Sequence, residues 1–296
     1  MDDYIKAKTI LNKVKYGDEW YGVNYNINLY KGCPHGCIYC DSRSNCYKIE
    51  NFDNPKIKEN ALSILELELS KKKEKGIVGL GSMSDTYNPK ERKYELTRGA
   101  LKLINKYGFG VSIDTKSDLI LRDIDLLKSI NEKNNVIVKI TITTFDDKLS
   151  KEIEPNVCVS SKRFNAIKEL SNNGIFAGIM LNPILPFITD NENNIKQIVK
   201  MAHESGAKFI HTFMGMTLRE NQRDYYYEKL DILFPGLKEK YINYYGNNYN
   251  CPVPNYKKLY KIFTLECDKY GILYDMKDII KAYKKEIKEN EQLTLF

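Results

Sequence analysis

The sequence predicts an α/β fold, in which a barrel or partial barrel of six β/α units is followed by a mainly helical C-terminal extension. Short apolar segments alternate with longer segments of helical periodicity over residues 25–213. Strands separated by helices usually run parallel and are joined by right-handed crossovers. Six units follow one another without an obvious reversal, which favours a barrel, although the spacing alone leaves a doubly wound sheet open.

Six segments are predicted as strands because their apolar residues alternate or form short runs bounded by turn residues. In chain order, they are 25–30, 77–81, 110–114, 136–142, 176–181 and 208–213. The predicted helices are 57–73, 91–107, 117–131, 161–173 and 191–205. The last two end at Asn173-Gly174 and Ser205-Gly206, which are typical helix C-termini because glycine readily adopts the left-handed conformation.

The pattern changes near residue 215, after which tyrosine and lysine become frequent. We predict a barrel with an N-terminal lead-in over residues 1–215 and a helical extension over residues 216–296 that packs on it. A Gly-, Asn- and Pro-rich stretch at 246–255 interrupts the helical pattern. The charged segment from about residue 284 predicts a flexible tail.

Length and composition exclude several classes of protein. The chain has 296 residues, 46 Lys and Arg against 39 Asp and Glu, and a formal net charge of +7. A chain of this length buries a large core, which excludes a disulfide-stapled miniprotein. It lacks a run of about 18 apolar residues that would span a bilayer, and its N-terminus does not resemble a signal peptide. We therefore predict a cytoplasmic protein without membrane association, in which the seven cysteines stay reduced.

Three of these cysteines follow the first predicted strand, in the segment Cys33-Pro-His-Gly-Cys37-Ile-Tyr-Cys40. A turn with Pro34 and Gly36 can direct three thiolates to one centre, and three thiolates suit iron–sulfur or zinc chemistry. Ordinary clusters and structural zinc sites take four ligands, so three in one loop suggest a site with an open position. His35 or Cys46 would complete a zinc site, which is the alternative interpretation.

The CxxxCxxC spacing, with the aromatic Tyr39 before the last cysteine, resembles the signature of the radical S-adenosylmethionine (SAM) enzymes. The resemblance implies that Cys33, Cys37 and Cys40 hold a 4Fe–4S cluster whose open iron binds SAM. It also implies a partial (β/α)6 radical SAM barrel, reductive cleavage of SAM to a 5′-deoxyadenosyl radical, and a reductant such as flavodoxin or ferredoxin.

Further short segments recur in an order that resembles the spore photoproduct lyases and related "DNA repair photolyase"-like proteins. They are Gly81-Ser-Met-Ser-Asp85, Asp114-Thr-Lys116, Ile140-Thr-Ile142, Glu154-Pro155, Arg163, Gly174, Asn182-Pro183-Ile184 and Pro186. This resemblance implies lyase-like carbon–carbon bond or hydrogen-abstraction chemistry, on a DNA lesion or another nucleic acid. Arg163 is expected either to hold a phosphate or to pair with Glu154.

Polar residues follow the predicted strands at their carboxyl ends, where a parallel barrel has its active site. By resemblance, Tyr39 lies near the adenine of SAM, and Lys116 and Thr141 match residues that contact SAM. A lysine such as Lys116 is also suited to pair with a carboxylate. Ser84 and Asp85 are candidates for the SAM amino group, and Asp85 is equally suited to cap a following helix.

The chain departs from the lyase pattern at Ser82. In the lyases a cysteine at this position donates a hydrogen atom to the substrate radical, and a serine O–H bond is too strong for that role. The chain is therefore not predicted to be an authentic spore photoproduct lyase. Cys251 is the candidate substitute donor if its loop, residues 249–254, folds over the barrel mouth.

Two C-terminal features bear on partners. The tyrosine-rich basic segment would stack nucleic-acid bases, or it would simply pack as a helical cap. The terminal residues Gln292, Leu293, Leu295 and Phe296 resemble the peptide by which bacterial repair proteins dock on the DNA sliding clamp, and an ordinary packed terminus is the alternative. The competing functions are radical modification of a protein or RNA, and a non-catalytic iron–sulfur protein associated with DNA.

Overall fold

The computed structural model describes residues 4–15 and 19–284. In chain order its strands are β1 (Tyr4–Ile5), β2 (Asn12–Lys13), β3 (Tyr25–Ile27), β4 (Tyr30–Lys31), β5 (Lys56–Lys58), β6 (Ile77–Leu80), β7 (Gly110–Thr115), β8 (Val136–Thr141), β9 (Phe176–Leu181), β10 (Ile210–Thr212), β11 (Gly215–Thr217) and β12 (Asn250–Pro252). Within the described residues, the main sheet has the order β10-β9-β8-β7-β6-β3-β2. All neighbours in it are parallel except β2, which pairs antiparallel with β3.

Each of the six predicted strands contributes to this sheet. β3, β6, β7, β8, β9 and β10 lie side by side in the order of the sequence, so successive crossovers proceed in one direction around the sheet. This order excludes a doubly wound sheet, which reverses direction at a switch point. The predicted α/β partial barrel with a helical C-terminal region is therefore confirmed.

The helices are α1 (Ala61–Ser70), α2 (Glu91–Tyr94), α3 (Leu96–Lys106), α4 (Ile124–Lys133), α5 (Asp147–Ile153), α6 (Ser160–Asn172), α7 (Glu192–Glu204), α8 (Gln222–Leu233), α9 (Leu237–Tyr245), α10 (Tyr256–Tyr270) and α11 (Met276–Tyr283). Leu65, Leu101, Leu127, Ile167 and Ile198 of the barrel helices are fully buried in one hydrophobic core with the outward-facing strand residues. This core fixes the strands whose carboxyl ends carry the site.

Several predicted boundaries differ from the structure. The segment 25–30 divides into β3 and β4, and β4 joins a separate small sheet of order β1-β5-β4. The predicted helix 91–107 breaks at Glu95, which has a left-handed φ of 48°. α5 was not predicted, although Asp146 accepts hydrogen bonds from the Lys148 and Leu149 N–H groups as its N-cap.

The C-terminal helices pack on two sides of the barrel. α10 packs on α7, with Lys258 Nζ 2.6 Å from a carboxylate oxygen of Glu192. α11 contributes Ile279 and Tyr283 to a cluster with Phe176 on the inner side of the sheet. The division of the chain at residue 215 stays a prediction, and the predicted tail with its clamp-like peptide lies outside the described residues. None of the helices described is long and apolar enough to cross a membrane.

Candidate functional site

The cysteine loop, residues 33–40, follows β4 and is tied by its backbone to the segments around it. The Cys33 N–H donates to the Phe52 carbonyl at 2.8 Å, and the Cys40 N–H donates to the Cys37 carbonyl at 3.3 Å. Gly32 has a φ of 98°, and a side chain there would meet the Phe52 carbonyl oxygen at 2.7 Å. A glycine is therefore required where the chain enters the loop.

The segment between α5 and α6 holds this loop from the other side. The Ile38 N–H donates to the Ile153 carbonyl at 3.0 Å, and the Asn156 N–H donates to the His35 carbonyl at 3.1 Å. The Asn156 side chain also donates to the Pro34 carbonyl at 2.9 Å. These hydrogen bonds join residues more than a hundred positions apart. They hold the Glu154-Pro155 segment against the cysteine loop.

Glu154 and Arg163 form a fully buried ion pair beneath the loop, with an N–O distance of 2.5 Å. Tyr39 donates its phenolic O–H to Glu154, and Arg163 donates to the carbonyls of Thr141 at 3.0 Å and Cys158 at 2.8 Å. Burial and the Glu154 carboxylate raise the pKa of Tyr39, so the phenol remains a donor. Because its guanidinium is fully buried, Arg163 pairs with Glu154 and is not available to a phosphate.

The three loop thiols are free, and each lies in an environment that disfavours an uncompensated thiolate. Burial raises the pKa of Cys33 to about 12, and burial also raises the pKa of Cys37 and Cys40. Cys40 also raises the pKa of both Cys33 and Cys37, whereas Lys116 lowers the pKa of Cys37 and of Cys40. A cationic metal cluster would supply the missing positive charge, so this donor set fits one.

A cavity of about 590 Å³ adjoins the cysteine loop and the carboxyl ends of β7, β9 and β10. Cys37, Tyr39, Cys40 and Lys116 contribute to its lining. Lys116 Nζ lies 5.7 Å from the centre of the Tyr39 ring. Burial alone lowers the pKa of Lys116, but Cys37 and Glu154 raise it overall, so its ammonium group stays charged. The cavity therefore combines two motif thiols with a fixed cation.

Comparison of the sequence with known families identifies the family of this chain. Residues 27–202 match the Radical SAM superfamily. The chain belongs to the radical SAM superfamily. An uncharacterized protein of Methanocaldococcus jannaschii is 38% identical over 192 residues, which cover 64% of this chain and 69% of that protein. An uncharacterized protein of Mycobacterium tuberculosis is 27% identical over 262 residues, covering 86% and 76% of the two chains.

Solved structures share the fold at low sequence identity. A spore photoproduct lyase complexed with dinucleoside spore photoproduct has a TM-score of 0.65 and 13% identity, over 90% of this chain and 78% of the lyase. A radical SAM methyltransferase from Kitasatospora setae, with tryptophan and a SAM analogue bound, has a TM-score of 0.55 and 10% identity. It covers 84% of this chain and 53% of the methyltransferase. At these identities the similarity concerns the fold.

The zinc alternative has no support in this radical SAM fold. Cys46 is exposed and lines a separate surface depression with Arg219, while His35 Nδ1 lies 3.5 Å from Asp85. Among the residues that the structure describes, no group of three or more His, Cys, Asp or Glu side chains could hold a metal ion. The thiolates of an iron–sulfur cluster bind different irons, so they need not converge on one atom.

Asp85 and Ser84 are placed in the scaffold of the site and do not line the cavity. Asp85 accepts hydrogen bonds from the Thr115 hydroxyl at 2.6 Å and from the Lys116 N–H at 2.7 Å, which joins the end of β6 to that of β7. It also accepts from the Tyr87 N–H, but α2 begins only at residue 91, so it caps no helix. Ser84 donates to the Gly32 carbonyl at 2.6 Å. Their predicted contact with the SAM amino group stays a prediction.

Thr141, at the end of β8, is buried and likewise absent from the cavity lining, while its carbonyl accepts a hydrogen bond from Arg163. Its direct contact with SAM also stays a prediction. Tyr39 and Lys116 are the two predicted SAM-binding residues that the structure brings together in the cavity. Tyr39 lies in the cysteine loop and Lys116 directly follows β7, and the sequence pattern predicts both positions.

The placement of Cys251 does not support a hydrogen-atom donor. Its loop does reach the cavity, because Tyr249 and Asn250 line it. Cys251 itself is fully buried in a cluster with Tyr241 and Tyr245, and its Sγ donates to the Asn248 carbonyl at 3.7 Å. β12 pairs with β11 and encloses the thiol in this cluster, a contact that loop composition does not reveal.

Ser82 is held at the end of β6, where its hydroxyl accepts from the Asn26 amide at 2.7 Å and donates to Asn28 at 3.3 Å. Cys158, to which the sequence pattern assigns no role, is a partly buried free thiol. Its Sγ donates to the Lys116 carbonyl at 3.2 Å. The available signal was its position three residues after Pro155.

We expect the Cys251→Ala variant to cleave SAM at the wild-type rate, because the thiol does not line the cavity. The loss of buried side-chain contacts should lower the free energy of unfolding by on the order of 1 kcal/mol, which lowers the melting temperature modestly. Rates of 5′-deoxyadenosine formation and thermal melts of both proteins measure these effects. A folded Cys251→Ala protein that cleaves SAM as the wild type does but no longer forms product from its substrate would restore the donor hypothesis, because the donor acts on the substrate radical after SAM cleavage.

Proposed function

We propose that this protein is a radical SAM enzyme in which Cys33, Cys37 and Cys40 hold a 4Fe–4S cluster and the adjoining cavity binds SAM. One observation carries the proposal: three free thiols lie in a loop clamped on both sides, and two of them, Cys37 and Cys40, line a cavity that the cationic Lys116 also lines. Together the cluster and SAM supply a 5′-deoxyadenosyl radical in this superfamily.

The residues of the chain bind and orient SAM for that chemistry. The Lys116 ammonium pairs with the SAM carboxylate, as a charged donor suits a charged acceptor. The Tyr39 ring is held in the cavity because its phenol donates to Glu154, and its backbone carbonyl accepts from the Gln222 side chain at 2.9 Å. Gln222 begins α8, so the C-terminal extension helps to fix the same residue.

We further propose that the substrate is nucleic acid and that the chemistry resembles lesion repair by a lyase. The cavity lining offers aromatic rings and amide side chains, which suit a base removed from its stack. The spore photoproduct lyase that shares the fold is complexed with a dinucleoside photoproduct, and the net charge of +7 favours a polyanion. Radical modification of a protein or RNA is the competing proposal.

The decisive experiment uses anaerobically reconstituted protein with a flavodoxin or dithionite reductant. The expected results are an iron–sulfur absorption band and formation of 5′-deoxyadenosine, with ultraviolet-irradiated DNA stimulating turnover above intact DNA, RNA and peptide pools. No SAM cleavage by fully reconstituted protein would contradict the enzyme proposal. Stronger stimulation by RNA or peptides would contradict the DNA-lesion substrate alone. The sliding-clamp partner and the cytoplasmic location stay predictions.

Lys116→Met is expected to weaken SAM binding about 10- to 100-fold, because a charge-assisted hydrogen bond contributes about 1.5–3 kcal/mol. Equilibrium dialysis of SAM with the reconstituted, unreduced protein measures this loss. Lys133→Met, which removes an exposed lysine at the end of α4, is the matched control and should bind SAM as the wild type does. Equal SAM affinities of Lys116→Met and Lys133→Met would show that Lys116 does not bind SAM.

A further inference from the structure

Part of the cavity lining has no role in holding the cluster or SAM as proposed above. We call this part the indole wall, and it consists of Trp20, Asn182, His211 and Asn250. Trp20 comes from the lead-in before β3, Asn182 follows β9, His211 lies in β10, and Asn250 begins β12. Four separate segments thus converge on the same cavity as Cys37 and Lys116.

Trp20 supplies a large aromatic surface to this wall. It is the single tryptophan of the chain, and 44% of its surface is exposed although it lines a cavity. Its ring makes edge-to-face contacts with Tyr21 at 5.2 Å and His211 at 5.3 Å between centroids. These contacts orient the indole, and an exposed, oriented aromatic ring is the kind of surface on which nucleic-acid bases stack.

His211 supplies a hydrogen-bond donor of defined tautomer. Its Nδ1 is buried and has no hydrogen-bond partner among the described residues. Burial and the nearby Lys139 ammonium, which pairs with Asp114 at 3.0 Å, lower the pKa of His211 and keep the ring neutral. A neutral imidazole carries one N–H, and a buried N–H without a partner costs more than a lone pair. These conditions favour the tautomer with its proton on Nε2, which is then the donor that His211 offers to the cavity it lines.

The remaining members of the wall determine the chemistry of that ligand. The Asn182 and Asn250 amides each offer a donor and an acceptor, and no member of the wall carries a formal charge. A flat aromatic surface beside neutral donors and acceptors suits an uncharged planar ring that carries a carbonyl next to an N–H. Thymine, uracil and guanine have this pattern along one edge, whereas aliphatic and charged side chains do not.

We propose that the indole wall is a recognition subsite for a nucleobase, which stacks on Trp20 and accepts a hydrogen bond from His211 Nε2 at a ring carbonyl. This inference rests on the proposed nucleic-acid substrate and names the residues that would recognise a base of that substrate. Stacking on Trp20 contributes affinity for the planar base, and the polar side chains of the wall select the hydrogen-bonding edge of that base. Neither function requires reduction of a cluster.

Trp20 emission reports on the subsite directly, because no other tryptophan contributes. Reconstituted, unreduced protein saturated with S-adenosylhomocysteine is titrated with a thymidine dinucleotide, with the same dinucleotide lacking its bases, and with an N-acetyl amino-acid amide. Saturable quenching is expected from the thymidine dinucleotide alone. His211→Leu should weaken its binding about 3- to 10-fold, the value of one hydrogen bond, whereas His211→Gln keeps an N–H donor and should weaken it less.

His203→Leu is the matched control, since His203 is exposed on α7 and stacks on Tyr270. It should bind the dinucleotide as the wild type does. The subsite proposal would be overturned if the base-free dinucleotide or the amide quenched Trp20 emission as strongly as the thymidine dinucleotide does. It would also be overturned if His211→Leu and His203→Leu bound the thymidine dinucleotide with equal affinity. Intact SAM cleavage with a failed titration would reject the subsite alone. Selective quenching in a protein that never cleaves SAM would support the subsite and contradict the enzyme proposal.

Discussion

Replacing any one of Cys33, Cys37 and Cys40 by alanine is expected to abolish both iron retention and SAM cleavage. Each thiol is one of three in the loop, and neither His35 nor Cys46 is placed to substitute for a lost ligand. Iron content per chain, the iron–sulfur absorption band and 5′-deoxyadenosine formation should all fall to background. Each variant should still fold, since backbone N–H groups of the loop donate hydrogen bonds to the Ile153 and Phe52 carbonyls and hold it without the thiols.

Cys46→Ala is the matched control for these variants, because Cys46 is exposed in the segment that follows the loop. It should retain iron and activity at the wild-type level. If Cys40→Ala kept as much iron as Cys46→Ala, the loop would not be the cluster site. If the wild type held the cluster but neither bound nor cleaved SAM, the non-catalytic iron–sulfur alternative would be favoured.

Breaking the Glu154–Arg163 pair is expected to have the largest effect on stability. Both side chains are fully buried, and removing one partner leaves an uncompensated charge in the interior. Arg163→Met should therefore lower the free energy of unfolding by about 3–5 kcal/mol, as for other buried pairs. Chemical denaturation with a circular dichroism readout measures it. Because Tyr39 donates to Glu154 beneath the cysteine loop, the variant should also lose iron faster than the wild type.

Two further proteins make this prediction specific. Lys238→Met breaks an exposed pair with Asp231 and should change stability by no more than about 1 kcal/mol. The double variant Arg163→Met/Glu154→Gln should be less destabilised than the sum of its single variants, because no unpaired charge remains. Strict additivity in this cycle would show that the two residues are not coupled.

The fold and the ligand loop were predictable because their signals are local. A strand such as β8, with the sequence Val-Ile-Val-Lys-Ile-Thr, is marked by its own β-branched residues, and six such segments in a row constrain the architecture. Cys33, Cys37 and Cys40 lie within one turn-rich loop, so their spacing alone indicates a shared centre. Lys116 was also predictable, since the carboxyl end of a parallel strand opens into the active site.

Other features depend on contacts between residues that are distant in the sequence. Cys251 seemed available from its loop composition, yet the pairing of β11 with β12 buries it among tyrosines. Ser84 and Asp85 have side chains suited to a ligand, but their hydrogen bonds go to Gly32, Thr115 and Lys116. Trp20 and His211 carry no local signal for a shared wall. Residue type indicates what a side chain can bind, and only packing decides what it does bind.

The sequence by itself determined the alternation of six strands with helices and the grouping of Cys33, Cys37 and Cys40 in one loop, because periodicity and ligand spacing are properties of short segments. The tertiary structure decided the rest of the site. It joined Ile153 and Asn156 to the cysteine loop and brought Trp20 and His211 into one cavity. It also enclosed Cys251 away from that cavity. These outcomes are set by long-range packing, in which segments far apart in the chain compete for the same neighbours, and no local pattern encodes the result.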